Sequence, residues 1–135
     1  MNKNATPLVG HYMSPFAQTI GRDQTLATAH RIMRENDIRH LPVLEGGRLV
    51  GIVSQRDLHF VESFSDVDPT KIRVEEAMSS DVFTVTRDTL LVEAVQTMVQ
   101  NKYGSAVVIE GGKVLGMFTA IDAQRALLDA LGHGA

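Results

Sequence analysis

The chain has 135 residues, 44% of them hydrophobic and 21% charged, the balance of an ordinary globular domain. A formal net charge of −3 has the wrong sign for a sequence-independent nucleic-acid binder, which must neutralise phosphates with cations. The absence of cysteine excludes disulfides, thiolate metal sites and cysteine nucleophiles.

The N-terminus, Met1 to Pro7, lacks the apolar run of a signal peptide, and no stretch approaches the ~20 apolar residues that span a bilayer. A cytoplasmic protein with neither nucleic-acid nor membrane partners is expected, its first eight residues loose. A short turn begins at Val9, followed by a strand candidate over Gln18-Thr19-Ile20. Leu26, Ala29, His30 and Met33 then recur at i, i+3, i+4 and i+7, one face of an amphipathic helix. Asp23 is placed to cap it through free backbone N–H groups.

Two apolar runs follow, His40 to Leu44 and Leu49 to Val53, separated by Glu45-Gly46-Gly47. Gly-Gly between β-rich runs predicts a hairpin, because a tight turn needs positive φ. A second helix is expected from Gln55 to about Phe64. Ser65 to Lys71 is polar, contains Pro69 and reads as a linker.

The whole pattern then recurs 65 positions later. Val9 matches Val74, Met13-Ser14 matches Met78-Ser79, Arg22-Asp23 matches Arg87-Asp88, and Glu45-Gly46-Gly47 matches Glu110-Gly111-Gly112. The strand candidate returns as Val82 to Val85, the helical stripe as Leu91, Ala94, Val95 and Met98 behind Asp88, and the final helix as Ala120 to about Leu131. One supersecondary unit is thus used twice. Each copy alone would bury little surface, so a shared core is expected. The divisions are 9–64 for the first repeat, 65–73 for the linker and 74–131 for the second repeat.

At Ser54-x-x-Asp57 and Thr119-x-x-Asp122 a strand runs directly into a helix, with a hydroxyl at the junction and a carboxylate three residues on. One reading is a capping box, in which the hydroxyl caps the third helical residue and the acid reaches back. The other is a ligand site, the carboxylate accepting from vicinal ribose hydroxyls while the hydroxyl and helix N–H groups face a phosphate. Glu or Gln is the usual capping partner, so the shorter Asp in both copies weighs toward a ligand.

The chain resembles a tandem pair of cystathionine β-synthase (CBS) domains, a Bateman module, over about residues 9 to 131. The carriers are Val9-x-x-x-Met13, Asp37 to Leu44, Gly46 to Leu58 and their second-copy equivalents. The resemblance implies an α/β (α+β) fold: two β-α-β-β-α repeats packed sheet to sheet about a pseudo-twofold axis, with two clefts for adenine nucleotides or S-adenosylmethionine. By the same resemblance Asp57 and Asp122 hold ribose, and Thr19, Ile20, Thr84, Val85 and Pro42 line the adenine pockets. Ser54, Thr119, Arg39, His40 and Arg56 then face hydroxyl or phosphate groups. The second copy departs from the pattern, with Gly104, Ser105 and Ile121 in place of Arg39, His40 and Arg56, so phosphorylated ligands are expected to prefer the first motif.

Histidines 11, 30, 40, 59 and 133 show no ligand-like spacing, and no metal site is assigned. His30 reads as a hydrogen-bonded histidine at a helix edge. Met13, Met33, Met78 and Met98 read as core filler, and Arg22-Asp23 and Arg87-Asp88 as helix caps beside solvated arginines. No nucleophile–base pair accompanies the acids, so no catalytic residue or catalytic cofactor is assigned.

The expectation is therefore a non-catalytic sensor whose small adenosyl ligand acts as a regulatory signal, passed in trans to an unidentified effector protein. A homodimer is expected from the resemblance and from the surplus apolar residues Ala123, Ala126, Leu127, Ala130 and Leu131 of the last helix. The alternatives are a protein–protein adaptor with vestigial sites and a nucleotide hydrolase.

Overall fold

The structure is a computed structural model that describes residues 6–132; His133 lies outside them. The described residues form two compact units. One comprises Ala17–Val82 and the other joins the N-terminal segment through Phe16 to Phe83 and the residues after it.

In the Ala17–Val82 unit, β1 (Ile20–Gly21) runs parallel to β2 (His40–Glu45), which pairs antiparallel with β3 (Arg48–Ser54) in the order β1-β2-β3. A parallel pair needs a crossover, supplied by α1 (Leu26–Asn36). Gly46 and Gly47 close the β2–β3 hairpin at φ of 57° and 81°, values that suit glycine and a two-residue turn. Helix α2 (Gln55–Glu62) follows β3 without a break, ending before the expected Phe64. Leu26, Ala29 and Met33 of α1 pack on Ile20, Leu41, Val43, Val53 and Leu58. Three of the four stripe residues are thus buried, and His30 is partly exposed.

Val74 completes this core, fully buried on a 3-10 turn over Val74–Glu76. Its neighbourhood is close-fitting: Ser79 and Ile52 exchange backbone hydrogen bonds of 2.9 Å each way. A Cβ on Gly51 would stand 2.9 Å from Ser79 O.

The other unit repeats the arrangement with β4 (Thr84–Val85), α3 (Leu91–Asn101), β5 (Ser105–Glu110), β6 (Lys113–Thr119) and α4 (Ala120–Ala130), in the sheet order β4-β5-β6. Val9, on a 3-10 turn over Val9–His11, is buried with Val85, Ala94, Met98, Val108 and Phe118. Residues 7 and 8 are not loose: Pro7 O accepts from Leu91 N–H at 3.0 Å and Leu8 bridges to Leu90.

Asp23 and Asp88 are not the helix caps. Thr25 caps α1, its side chain accepting from Thr28 N–H at 3.2 Å, and Leu90 precedes α3 with no side-chain cap at all. Distant carbonyls take the free N–H groups instead. Leu26 N–H donates to Ile72 O at 2.9 Å and Ala27 N–H to Pro69 O at 3.0 Å, as Leu91 N–H does to Pro7 O, so the need for a capping side chain is met by tertiary contacts.

Candidate functional site

Ser54 is the N-cap of α2, and its Oγ accepts from Asp57 N–H at 3.1 Å. Asp57 Oδ2 reaches back to accept from Ser54 N–H at 2.8 Å and from Ser54 Oγ at 2.9 Å. One carboxylate oxygen therefore completes a capping box. The other, Oδ1, has no protein donor among the described residues. The two readings of this motif are compatible, because they use different oxygens.

Strand pairing gathers the neighbouring polar groups. His40 is the cross-strand partner of Ser54, and Gln55 N–H donates to Arg39 O at 2.9 Å. Burial holds the His40 imidazole below its ordinary range, opposed by the attraction of Asp57 and reinforced by repulsion from Arg39. Arg39 and Arg56 are exposed, free to meet an anion.

Pro42, fully buried in the middle of β2, explains an offset between the repeats. Val107 N–H, at the corresponding place, donates to Phe83 O at 3.0 Å. Pro42 has no N–H, so the first rung of the β1–β2 ladder is missing and β1 begins at Ile20, one residue later than β4 does in its repeat. Gln18 O consequently receives no backbone N–H among the described residues. Thr19, partly exposed, and Ile20, buried, flank that carbonyl.

Thr19 and Ile20 also border a cavity of about 710 Å³ at the hairpin end of the sheet, shared with Arg22, Glu45, Gly47 and Glu75. Arg22 keeps solvent contact but is paired. Its guanidinium bridges Glu75 at 2.7 Å and Glu45 at 2.9 Å, so those charges satisfy one another. Ser54, Asp57, Arg39 and His40 do not line this cavity. The unused acceptors and the exposed cations lie toward the other end of the strands, and that end is the better candidate site.

In the second repeat Thr119 caps α4, and Asp122 Oδ2 accepts from Thr119 N–H at 2.9 Å and Oγ1 at 3.2 Å. Ser105 takes the cross-strand place of His40, and Ala120 N–H donates to Gly104 O at 3.1 Å. Thr84 is exposed and Val85 buried. The second repeat does have a cation beside its acid. Arg125 Nη1 donates to Asp122 Oδ1 at 3.3 Å. Sequence comparison passed over it because its counterpart, 65 positions earlier, is Phe60; its position three residues after Asp122 on a helix was the available signal.

His30 lies at a helix edge as expected, its Nε2 bonded to Glu62 at 2.5 Å and its ring stacked on His59. Among the described residues no group of three or more His, Asp or Glu side chains is placed to hold a metal, and no helix is long and apolar enough to cross a membrane.

Comparison with known proteins places this geometry in a family. The model of the CBS domain matches twice, over residues 9–61 and 74–129. The chain is 36% identical over 105 residues to an inosine-5'-monophosphate dehydrogenase of Korarchaeum cryptofilum, 77% of this chain but 21% of that enzyme. It is 33% identical to a CBS domain-containing protein of Dictyostelium discoideum, covering 92% of this chain and 90% of that one. Among solved structures, a Vibrio cholerae protein assigned to acetoin utilization superposes with a TM-score of 0.83 at 29% identity, covering 95% of each chain. CBSX2 in complex with AMP superposes with a TM-score of 0.80 at 26% identity, covering 90% of this chain and 97% of that one.

Proposed function

This chain belongs to the CBS-domain family, carrying the domain twice, and from that premise we propose that it is a cytoplasmic sensor that binds an adenine nucleotide or S-adenosylmethionine at its first repeat. CBS domains are regulatory rather than catalytic units. The dehydrogenase likeness concerns a fifth of that enzyme and brings no dehydrogenase activity with it.

The observation that carries this reading is the free Oδ1 of Asp57, whose partner oxygen is already tied to Ser54. A carboxylate held in this way is preorganised to accept from two vicinal hydroxyls. Arg39, Arg56 and the partly buried His40, at the same end of the strands, offer donors for phosphate. Gln18 O, left free by Pro42, suits the exocyclic amine of adenine, which guanine lacks at that position. The solved complex of CBSX2 with AMP supports an adenosyl ligand of this size and charge.

Signalling requires only that the ligand prefer one of two conformations, the difference in affinity being passed to a partner. We assign the output to an effector protein acting in trans and to the protein's own dimer. An exposed apolar face favours self-association: Val92 and Val99 of α3, Leu127 of α4 and Leu131 just after it are each more than half exposed. A monomeric soluble protein rarely leaves such a patch uncovered.

A thermal-shift screen against AMP, ADP, ATP, S-adenosylmethionine and GTP tests the proposal. A ligand at about 100 times its Kd stabilises the fold by about 2.7 kcal/mol. At least one adenosyl ligand should raise Tm well above the effect of GTP. No shift with any of them would favour an adaptor with vestigial sites.

A further inference from the structure

The two ribose-type acids differ in a way that the repeat itself does not require. Asp57 is partly exposed with Oδ1 free, whereas Asp122 is 2% exposed with both oxygens engaged, Oδ2 by Thr119 and Oδ1 by Arg125. The Arg125 side chain is itself 67% exposed, so its guanidinium lies on the solvent side of a carboxylate that is otherwise enclosed. It donates to the same oxygen that, in the first repeat, is left for a ligand.

Resting on the reading of these acids as ribose acceptors, we infer that Arg125 is an internal competitor for Asp122, a latch that the ribose diol must displace before the second repeat can bind a nucleoside. A guanidinium N–H and a sugar hydroxyl are both donors to a carboxylate, and Arg125 takes one of the two acceptor positions on Oδ1 that a ribose diol would fill. The first repeat has no equivalent, because Phe60 stands at the matching position and offers no donor. The latch therefore makes the second site weaker for neutral nucleosides. It also ties occupancy of that site to the position of a cation on α4, two residues before Leu127 of the exposed apolar face.

A latch that is closed most of the time reduces apparent affinity by the fraction of molecules in which it is open. An ion pair with one exposed partner weakens with salt, while the binding of an uncharged ligand has no such dependence of its own. Adenosine is the probe, titrated into the Asp57→Asn protein, whose first site is disabled, and followed by the amide resonances of Thr119 to Ala123. With Arg125 present, adenosine should bind more tightly as salt is raised. Arg125→Ala should bind about three- to tenfold more tightly at low salt and lose the salt dependence. Arg125→Phe, which copies the first repeat, should do the same.

Unchanged or weaker adenosine binding in both variants would overturn the latch. Perturbation of neither repeat by adenosine, in the parent chain and in Arg125→Ala alike, would instead overturn the ribose reading on which it rests. Arg125 is mostly exposed, so neither variant should lower Tm appreciably.

Discussion

Val107 gives its N–H to Phe83 O at 3.0 Å, and the residue in its place in the first repeat, Pro42, has none to give. The consequence is a carbonyl, Gln18 O, left unpaired beside Thr19 and Ile20. Restoring the donor with Pro42→Val should lengthen β1 and occupy that carbonyl. A typical net hydrogen bond contributes about 0.5–1.5 kcal/mol, so adenine-nucleotide affinity should fall about two- to twelvefold and selectivity over guanine should shrink, while Tm does not fall. Calorimetry with AMP and GMP checks this; unchanged affinity and selectivity would remove Gln18 O from the site.

His40 introduces a pH dependence. Its folded-state pKa lies below the ordinary 6.5, chiefly through burial, so the unfolded chain holds a proton more readily than the folded one. Its contribution to stability is complete above pH 6.5 and declines as pH falls from there toward the folded value. A bound phosphate, by attracting the protonated imidazole, raises that pKa, so AMP affinity should rise on acidification through the same window. His40→Gln should flatten both trends. Adenosine, lacking phosphate, should show no such rise in the parent protein, and the difference between the parent and His40→Gln with AMP separates the imidazole from titration of the phosphate itself. Calorimetry at several pH values, with AMP and with adenosine, is the check.

Both units contain close backbone approaches at glycine. A Cβ on Gly116 would collide with Ser14 O, and one on Gly51 would stand 2.9 Å from Ser79 O. Overpacking typically costs about 1–3 kcal/mol. Gly51→Ala should lose stability in that range and Gly116→Ala somewhat more, because Ser14 and Met117 exchange backbone hydrogen bonds of 2.8 and 3.0 Å. Urea denaturation monitored by circular dichroism measures the difference.

Self-association through α3 and α4 is tested by charge. Leu127→Glu places a carboxylate on a residue that is 57% exposed, so a monomer should fold normally. Light scattering should give about twice the 14.8 kDa chain mass for the parent protein and the single-chain mass for the variant. A parent protein that is monomeric with and without ligand would exclude the dimer.

Much of this was legible in the sequence for a physical reason. The stripe Leu26, Ala29, Met33 and the Gly46-Gly47 turn are local signals, set by helical period and by positive φ, and the structure places them as expected. The starts of α1 and α3 were not legible, whereas those of α2 and α4 were. Asp23 and Asp88 have the right chemistry for caps, but Ile72, Pro69 and Pro7 supply the acceptors from far along the chain, and no local pattern encodes such a partner. The pairing of Arg22 was hidden for the same reason, since Glu75 is 53 residues away. In the candidate site the acids and hydroxyls stood out as a repeated motif. The free oxygen of Asp57 and the occupied one of Asp122 did not, because they depend on a residue one helical turn away that differs between the copies.

The most direct measurement is the calorimetric affinity of AMP for the parent chain, Asp57→Asn and Asp122→Asn. In Asp57→Asn the new amide oxygen can still accept from Ser54 and so keep the cap, but the side chain then presents an amide donor where the ribose hydroxyls need an acceptor. Asp57→Asn should weaken AMP at least tenfold with little change in the Tm of the unliganded protein, and Asp122→Asn should leave the tight site nearly intact. Tight AMP binding that survives Asp57→Asn and is lost in Asp122→Asn would contradict the assignment of the nucleotide to the first repeat.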